Sequence, residues 1–369
     1  MDNVKIHLPK NESVSYEIRV NSGLLENIPD FIKNLGLKGQ FVIITDSNVK
    51  PLYADKLYES ITQAGFQGLL IHFKAGEIHK TRRTKEMLED EMLSQRIGRD
   101  SFILALGGGV TGDIAGYIAA TYNRGIPFIQ IPTTLLAMVD SSVGGKTGVD
   151  TPYGKNLIGA FCQPAAVYAD IDTLTTLEKK EILNGISEMI KHACIQDQSL
   201  FVELRDKKEK ILSLESALIQ STVIRNVAIK AAVVEEDEKE GNKRQILNFG
   251  HTAGHAIELL TDFTLSHGEC VAIGMCVAAD ISVMLNMLSE KEAKEIKECI
   301  SGFGLPIKIP ENLRADKIIE AMGLDKKSRQ GKVKFVLLET IGKVHLDNGN
   351  YSVSVEENVL LKALNQNFQ

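Results

Sequence analysis

The stretch from Arg244 to Glu269 concentrates residue types that bind metals and anions. It reads Arg244-Gln-Ile-Leu-Asn248-Phe-Gly-His251-Thr-Ala-Gly-His255-Ala-Ile-Glu258, and then Leu265-Ser266-His267-Gly268-Glu269. Three of the chain's eight histidines fall within it. His251 and His255 are four apart, so on a helix they share a face and can reach one cation. Ser266 and Glu269 form a capping box, which predicts a second helix with His267 in its first turn. The positive end of that helix disfavours imidazolium and favours the neutral ring that binds metal. An upstream Glu would complete a His/His/Glu set with an open position, as catalytic zinc sites have. The competing reading is helix packing with solvated histidines, and three histidines in so short a span weigh against it.

Other candidate groups lie upstream. Gly107-Gly-Gly-Val-Thr-Gly112-Asp113 satisfies GxGxxG after a strand-like run and before an apolar, helix-like one. Glycine lets backbone approach a pyrophosphate, and a helix N-terminus supplies N–H donors. Asp46, closing an earlier strand, is placed to hold an adenosine ribose. Thr133-Thr134 offers further N–H and hydroxyl donors. Asp140-Ser-Ser-Val-Gly-Gly145-Lys146-Thr-Gly148 lacks the glycine spacing of a Walker loop, which excludes a P-loop NTPase. It reads instead as a flexible loop bringing an ammonium to an anion, with Lys155 and Asn156 continuing the polar lining. Glu188, Lys191 and His192 occupy neighbouring faces of one helix, where a buried Glu188 needs a cation or a metal. His192 reads as a packed or capping group. The acidic run Glu235 to Glu240 reads as a solvated helix terminus from which Asp237 and Glu240 could orient the site.

These residues need a scaffold. A length of 369 residues suggests two domains, and we place a boundary at 1–176 and 177–369. Strand-like runs at Phe41–Thr45, Gly68–Lys74, Ser101–Leu106, Pro127–Ile131 and Ala165–Ala169 alternate with helical ones at Leu52–Ala64 and Thr81–Gln95. That pattern predicts a parallel sheet covered on both faces, an α/β Rossmann-like nucleotide-binding domain. From about 177 the period turns helical, with helices over Leu183–Ile195 and Leu214–Asp237, Lys230 among the latter. Lys334–Leu338 reads as a strand, Asp325-Lys326-Lys327 as a basic turn, and Ser354 with Glu357 as a capping box. The formal charge of -6 and pI near 5.8 argue against nucleic acid, so an anionic substrate needs a local basic pocket. Five cysteines without CxxC spacing suggest reduced thiols in the cytoplasm. The N-terminus has no signal-peptide core, and the apolar run Val271–Leu285 is interrupted by Asp280 and too short to span a bilayer.

Taken in order, Gly107–Asp113, Pro132–Thr134, Asp140–Gly148, Glu188-Met-Ile-Lys191 and Arg244–Glu269 resemble the 3-dehydroquinate synthase family. The likeness runs from about residue 40 to 345. It implies a homodimer with an α/β NAD-binding domain and a mainly helical C-terminal domain. It also implies catalytic NAD and a divalent metal, zinc or cobalt. By position, the resemblance makes Glu188, His251 and His267 the metal ligands and turns His255 towards the substrate. It assigns Asp46, Glu77, Lys80, Gly109, Val110, Thr111, Gly112, Asp113, Thr133, Thr134, Lys146, Lys155 and Thr173 to NAD. It assigns Asp140, Lys146, Asn156, Lys191, Lys230, Arg244, Asn248 and Lys326 or Lys327 to the substrate pocket. Arg124 is matched to an arginine that reaches the neighbouring subunit.

The implied reaction takes 3-deoxy-D-arabino-heptulosonate 7-phosphate to 3-dehydroquinate and phosphate in the shikimate pathway. A transient oxidation acidifies the neighbouring C–H, phosphate leaves, the hydride returns, and ring opening precedes an aldol closure. Two rivals are a glycerol-dehydrogenase-like polyol dehydrogenase and a cyclase for another sugar phosphate. The first has no use for Lys146, Lys191, Arg244 and Asn248, and the second would be expected to replace Arg244 and Asn248. A non-enzymatic NAD-binding module fits poorly with an intact metal set.

Overall fold

The apolar runs of the first half become strands because β-branched and aromatic residues fill consecutive positions and leave no face for water. The computed structural model describes residues 15–262, 264–324 and 333–369. In chain order the first half comprises β1 (Glu17–Asn21), α1 (Ile28–Asn34), β2 (Phe41–Asp46), α2 (Asp55–Gln63), β3 (Gly68–Phe73), α3 (Arg82–Ser94), β4 (Phe102–Gly107), α4 (Gly109–Thr121) and β5 (Phe128–Pro132). There follow β6 (Lys146–Thr151), β7 (Gly154–Phe161) and β8 (Ala166–Asp170). Six strands form one parallel sheet in the order β1-β8-β5-β4-β2-β3. Alternate side chains divide between its two faces. Val42, Ile44, Ile103 and Ala105 pack under α3 and α4, while Phe41, Ile43, Phe102 and Leu104 pack under α1 and α2.

The strand order reverses direction between β2 and β4. Their following loops diverge to opposite faces and leave a crevice at the carboxyl edge, the place where open α/β sheets bind ligands. Asp46 ends β2 and Gly107 ends β4, so the ribose and pyrophosphate candidates meet there.

Two features of this half differ from the sequence reading. The edge strand β1 is short and half-exposed, with only Val20 buried, so it carries little apolar signal. The presumed flexible loop around Lys146 is the start of an antiparallel hairpin, β6 on β7. Its outer residues are polar or exposed, and its inner residues Thr147 and Val149 lie against α4 and its neighbours.

The second half is mainly helical: α5 (Lys179–Gln196), α6 (Gln198–Asp206), α7 (Lys208–Leu212), α8 (Ser216–Glu236), α9 (His251–Leu260), α10 (His267–Met284), α11 (Glu290–Gly302), α12 (Ala315–Leu324) and α13 (Glu357–Gln366). Four short strands, β9 (Lys334–Phe335), β10 (Leu338–Thr340), β11 (Lys343–Val344) and β12 (Val353–Ser354), form two antiparallel pairs. The expected single strand over Lys334–Leu338 is thus split in two. The expected capping box at Ser354 does not form. Ser354 pairs with Lys334 in a strand, and Glu356 occupies the N-cap of α13 without a side-chain capping bond. The basic turn Asp325-Lys326-Lys327 lies outside the described residues.

By length and composition alone, α8 and α10 could cross a membrane, being 21 and 18 residues long. Their apolar windows are 56% and 72% buried within the protein, so that apolarity serves its own core. The core also takes in Leu135, Met138, Val139 and Val143, which carry Asp140 in among the helices.

Candidate active site

Backbone contact between α9 and α10 sets the histidines. A Cβ on Gly274 would lie 1.9 Å from the Gly250 carbonyl oxygen, so only glycine permits this approach. The capping box of α10 forms as its sequence predicts: Ser266 Oγ accepts from Glu269 N–H, and the Glu269 carboxylate accepts from Ser266 N–H at 2.7 Å. Asn184 Oδ1 accepts from Gly268 N–H at 3.0 Å and ties the start of α10 to α5. Glu188 lies one turn further along α5, on the same face as Asn184. These ties bring His251, His267 and Glu188 together from three helices.

Glu188 is fully buried, and neither carboxylate oxygen has a hydrogen bond. Nε2 of His251 and of His267 lie 3.5 and 3.6 Å from its Oε1. The ligand atoms of the three residues all fall within 4.8 Å of one another. Nδ1 of His251 sits 3.2 Å from the Phe249 carbonyl oxygen, which takes its N–H and turns Nε2 inward. Nδ1 of His267 lies 3.6 Å from Oε2 of Glu258. A buried carboxylate without hydrogen bonds is costly, and two inward imidazole nitrogens beside it supply the donor set of a divalent metal. Lys191 also abuts Glu188, out of line for a hydrogen bond. His255 lies apart from this set, exposed, with its ring centroid 5.1 Å from that of His251.

Burial pulls the pKa of His267 down, but the Glu188 and Glu258 carboxylates on its two sides outweigh burial and push it up to about 10. His251, more deeply enclosed and beside Lys191, is held well below its ordinary value by burial.

Beside this group lies a cluster of cations. Lys230, buried on α8, donates at 2.6 Å to both the backbone oxygen and Oδ1 of Asp140. Lys191 Nζ is 4.0 Å from the same Oδ1, and His192 Nε2 is 3.8 Å away. Lys230 and Lys191 more than offset burial and hold Asp140 well below the ordinary carboxylate range. Asp237 accepts backbone N–H groups from Gly241, Asn242 and Arg244 at 2.7, 2.7 and 2.9 Å. The chain after α8 therefore folds back, and the acidic run is not merely a solvated end. Arg244 then donates to the carbonyls of Glu238 and Gly144. Glu240 pairs with Lys146 and accepts from Asn248 at 3.0 Å.

His192 is the packed residue expected of it: fully buried, with Nδ1 3.2 Å from Asn226 Oδ1. Burial, reinforced by Lys191, lowers its pKa to about 3. A depressed histidine contributes stability that is present above the unfolded pKa, near 6.5, and lost as pH falls towards the folded one. The stability difference between wild type and His192→Gln should therefore shift towards the variant below about pH 6.5, with a slope of at most about 1.4 kcal/mol per pH unit. Urea unfolding of both proteins at several pH values measures it, and a difference independent of pH would refute it.

At the sheet edge, Asp46 Oδ1 accepts from the N–H groups of Asn48 and Val49 at 2.8 and 3.1 Å, leaving Oδ2 facing Thr111 Oγ1 at 3.4 Å. Gly109, Val110 and Thr111 open α4, where first-turn N–H groups have no intrahelical acceptor, while Gly112 N–H is already bonded to the Gly108 carbonyl. Lys80 is buried and donates to Asp113 at 2.5 Å and Asn156 at 2.6 Å. Lys155 lies between Glu258 at 3.0 Å and Glu77 at 3.5 Å. One expected donor is committed elsewhere: Thr133 N–H bonds to the Gly107 carbonyl. Thr134 Oγ1 accepts from Ala137 N–H at 3.1 Å, which leaves its hydroxyl hydrogen to donate. The buried Thr173 hydroxyl donates to the Asp170 carbonyl at 2.7 Å.

Family models for the N-terminal and C-terminal parts of 3-dehydroquinate synthase match residues 70–184 and 185–328. A 3-dehydroquinate synthase from Caldanaerobacter subterraneus subsp. tengcongensis is 45% identical over 365 residues, 99% of this chain and all of that one. The chain belongs to the 3-dehydroquinate synthase family. Solved relatives share its architecture. A 2-deoxy-scyllo-inosose synthase complexed with carbaglucose-6-phosphate, NAD+ and Co2+ is 26% identical, covering 95% of this chain and 96% of that one at a TM-score of 0.87. A 2-epi-5-epi-valiolone synthase from Streptomyces hygroscopicus subsp. jinggangensis, with NAD+ and Zn2+ bound, is also 26% identical, covering 98% and 99% at 0.88.

Within this 3-dehydroquinate synthase fold, most of the residues singled out in the sequence gather near the crevice. Arg124 does not. It is exposed on a left-handed turn after α4, which at 13 residues carries it about 20 Å from the glycine turn. Two groups were passed over. Glu258 follows His251 by seven residues, two turns on the same face, a spacing that could have flagged it. Tyr16, whose hydroxyl accepts from Gly144 N–H at 3.2 Å, had no local signal.

Proposed function

We propose that this chain converts 3-deoxy-D-arabino-heptulosonate 7-phosphate to 3-dehydroquinate and phosphate, using NAD catalytically and one divalent metal, zinc or cobalt. The observation that carries this is the buried, hydrogen-bond-free Glu188 facing Nε2 of His251 and His267, with four cationic side chains gathered alongside. When bound, NAD supplies a transient hydride acceptor and the metal a Lewis acid that acidifies an alcohol.

The chain's own residues do the rest. Glu188, His251 and His267 hold the cation. Asp46 and the first turn of α4 receive the nucleotide, with Lys80, Glu77, Lys155, Thr133, Thr134 and Thr173 around them. Lys146 and Asn248, which share Glu240 here, exchange that carboxylate for the phosphate of the substrate. Lys191, ion-paired with Glu188 and 4.0 Å from Asp140, adds a further cation to the pocket. Arg244, buried and already oriented by two carbonyls, offers a bidentate fork to the substrate carboxylate. His255, exposed and one turn of α9 beyond His251, is placed to move a proton. Asn156 and Lys230 line the pocket, and the family resemblance adds Lys326 or Lys327 to the substrate contacts. The working unit is a cytoplasmic homodimer of two-domain chains, 1–176 and 177–369, with Arg124 serving the neighbouring subunit.

Arg244→Ala should raise KM by about 30-fold or more, since a buried charge-assisted pair contributes roughly 2–3 kcal/mol, while NAD affinity survives. Loss of NAD binding in that variant would refute the assignment. The function itself is tested by incubating the metal-loaded protein with the heptulosonate phosphate. Phosphate should appear without accumulation of NADH, stop on chelation and resume on adding zinc or cobalt. Steady NADH formation from glycerol, with no phosphate released, would favour the polyol dehydrogenase.

A further inference from the structure

Glu258 has no part in the binding scheme above, yet it is among the most enclosed carboxylates of the site. It is only 5% exposed, and such a group is costly to bury unless it is paired. Its two oxygens have separate partners. Oε2 faces Nδ1 of His267 at 3.6 Å, and Oε1 accepts from Lys155 Nζ at 3.0 Å. Lys155 in turn reaches Glu77 at 3.5 Å, at the nucleotide crevice. A continuous chain of contacts thus runs from Glu188 through His267, Glu258 and Lys155 to Glu77.

We propose that Glu258 is a positioning residue: it fixes the ring of His267 for the metal and, through Lys155, couples metal affinity to occupation of the nucleotide crevice. The proposal rests on the metal-site reading given above. A ligating imidazole characteristically hands its second N–H to a carboxylate, which fixes the ring's orientation and raises its basicity. Glu258 stands on the correct side of His267 to do this, opposite Glu188. Lys155 divides its charge between Glu258 and Glu77, so any ligand that engages Glu77 or Lys155 alters the field at Glu258. Coupling of this kind is reciprocal. His255, Glu258 and His267 also lie close enough to ligate an ion among themselves. Against that arrangement, the Lys155 ammonium already occupies one Glu258 oxygen and would face the incoming cation.

The test is titration of the metal-free full-length protein with Co2+, followed by calorimetry and visible absorption, with and without saturating NAD. Wild type should bind one cobalt per chain, with an affinity that NAD changes by about fivefold or more. Glu258→Gln keeps the shape and an acceptor oxygen but removes the charge. It should weaken cobalt binding by about 10–100-fold and abolish the NAD effect. Because Lys155 is also placed at the nucleotide, Lys155→Met is first titrated with NAD alone to establish saturation; at saturating NAD it should lose the NAD effect on cobalt affinity, and retention of that effect would overturn the coupling. Near-UV circular dichroism establishes that Glu258→Gln is folded, and if it is not, Lys155→Met carries the test. Glu258→Gln binding cobalt like wild type with the NAD effect intact would overturn the proposal. So would two cobalt ions per wild-type chain, which would make Glu258 a ligand in its own right. Wild type that binds no cobalt would remove the metal-site reading itself, and this proposal with it.

Discussion

Glu188→Gln is expected to lower phosphate release by on the order of a thousandfold and to leave the protein unable to retain a stoichiometric metal ion. The substitution keeps volume and shape, so the core around α5 need not repack. It removes the charge that makes the pocket a cation site. Glu188 is fully buried with both oxygens unsatisfied, so its carboxylate is tolerated only where positive charge meets it. Burial opposes its ionisation, but Lys191 and the two histidines hold its pKa well below the ordinary range. With Gln in its place, His251 and His267 remain as two neutral-nitrogen donors without the anionic partner that offsets the cost of desolvating a divalent ion. NAD affinity should persist, because the glycine turn and Asp46 lie on the sheet edge and not on α5. Metal content by elemental analysis and phosphate release by coupled assay decide the matter. A variant that keeps one tightly held ion per chain would show that the three-residue set is not the metal site.

The site's legibility in the sequence follows the range of its interactions. The α10 capping box could be read because its two partners are three residues apart and both bonds are local. The sheet could be read because its central strands are buried on both faces and give continuous apolar runs. The edge strand β1 could not, since its one buried residue, Val20, makes no pattern. Spacing alone favoured His251 with His255, a pairing within one helix. In the structure it is His267 that stands with Glu188 and His251 in a group able to hold an ion, brought there by the glycine-mediated contact of α9 with α10 and by Asn184 on α5. Contacts between helices leave no period in the sequence, so only the family resemblance pointed to them. The helix-terminus argument for His267 counted only the local dipole, because the two carboxylates beside the ring come from other segments of the chain.

Asp140→Asn is expected to be the most destabilising conservative change in the pocket, costing about 3–5 kcal/mol. Lys230 is nearly buried and bonds to Asp140 twice, through the backbone oxygen and through Oδ1. Lys191 and His192, more buried still, have the same oxygen within 4.0 and 3.8 Å. An amide keeps the hydrogen bond to Lys230 at most and leaves that ammonium uncompensated, while Lys191 retains Glu188. Burial already lowers the pKa of Lys230, with Asp140 its chief counterweight, so part of the loss should appear as deprotonation of Lys230. For a chain of 369 residues the cost corresponds to a fall in Tm of roughly 4–7 °C. Two further measurements separate loss of this charge balance from a general packing fault. Inorganic phosphate should raise the Tm of Asp140→Asn more than that of wild type, because uncompensated cations bind an anion better and binding to the folded state is stabilising. Removing Lys230 as well, in Asp140→Asn/Lys230→Met, should restore most of the loss, since it takes away the stranded charge. Equal phosphate effects on both proteins, together with a double variant less stable than the single one, would mean that Asp140 acts through packing and not as the anchor of the cation cluster.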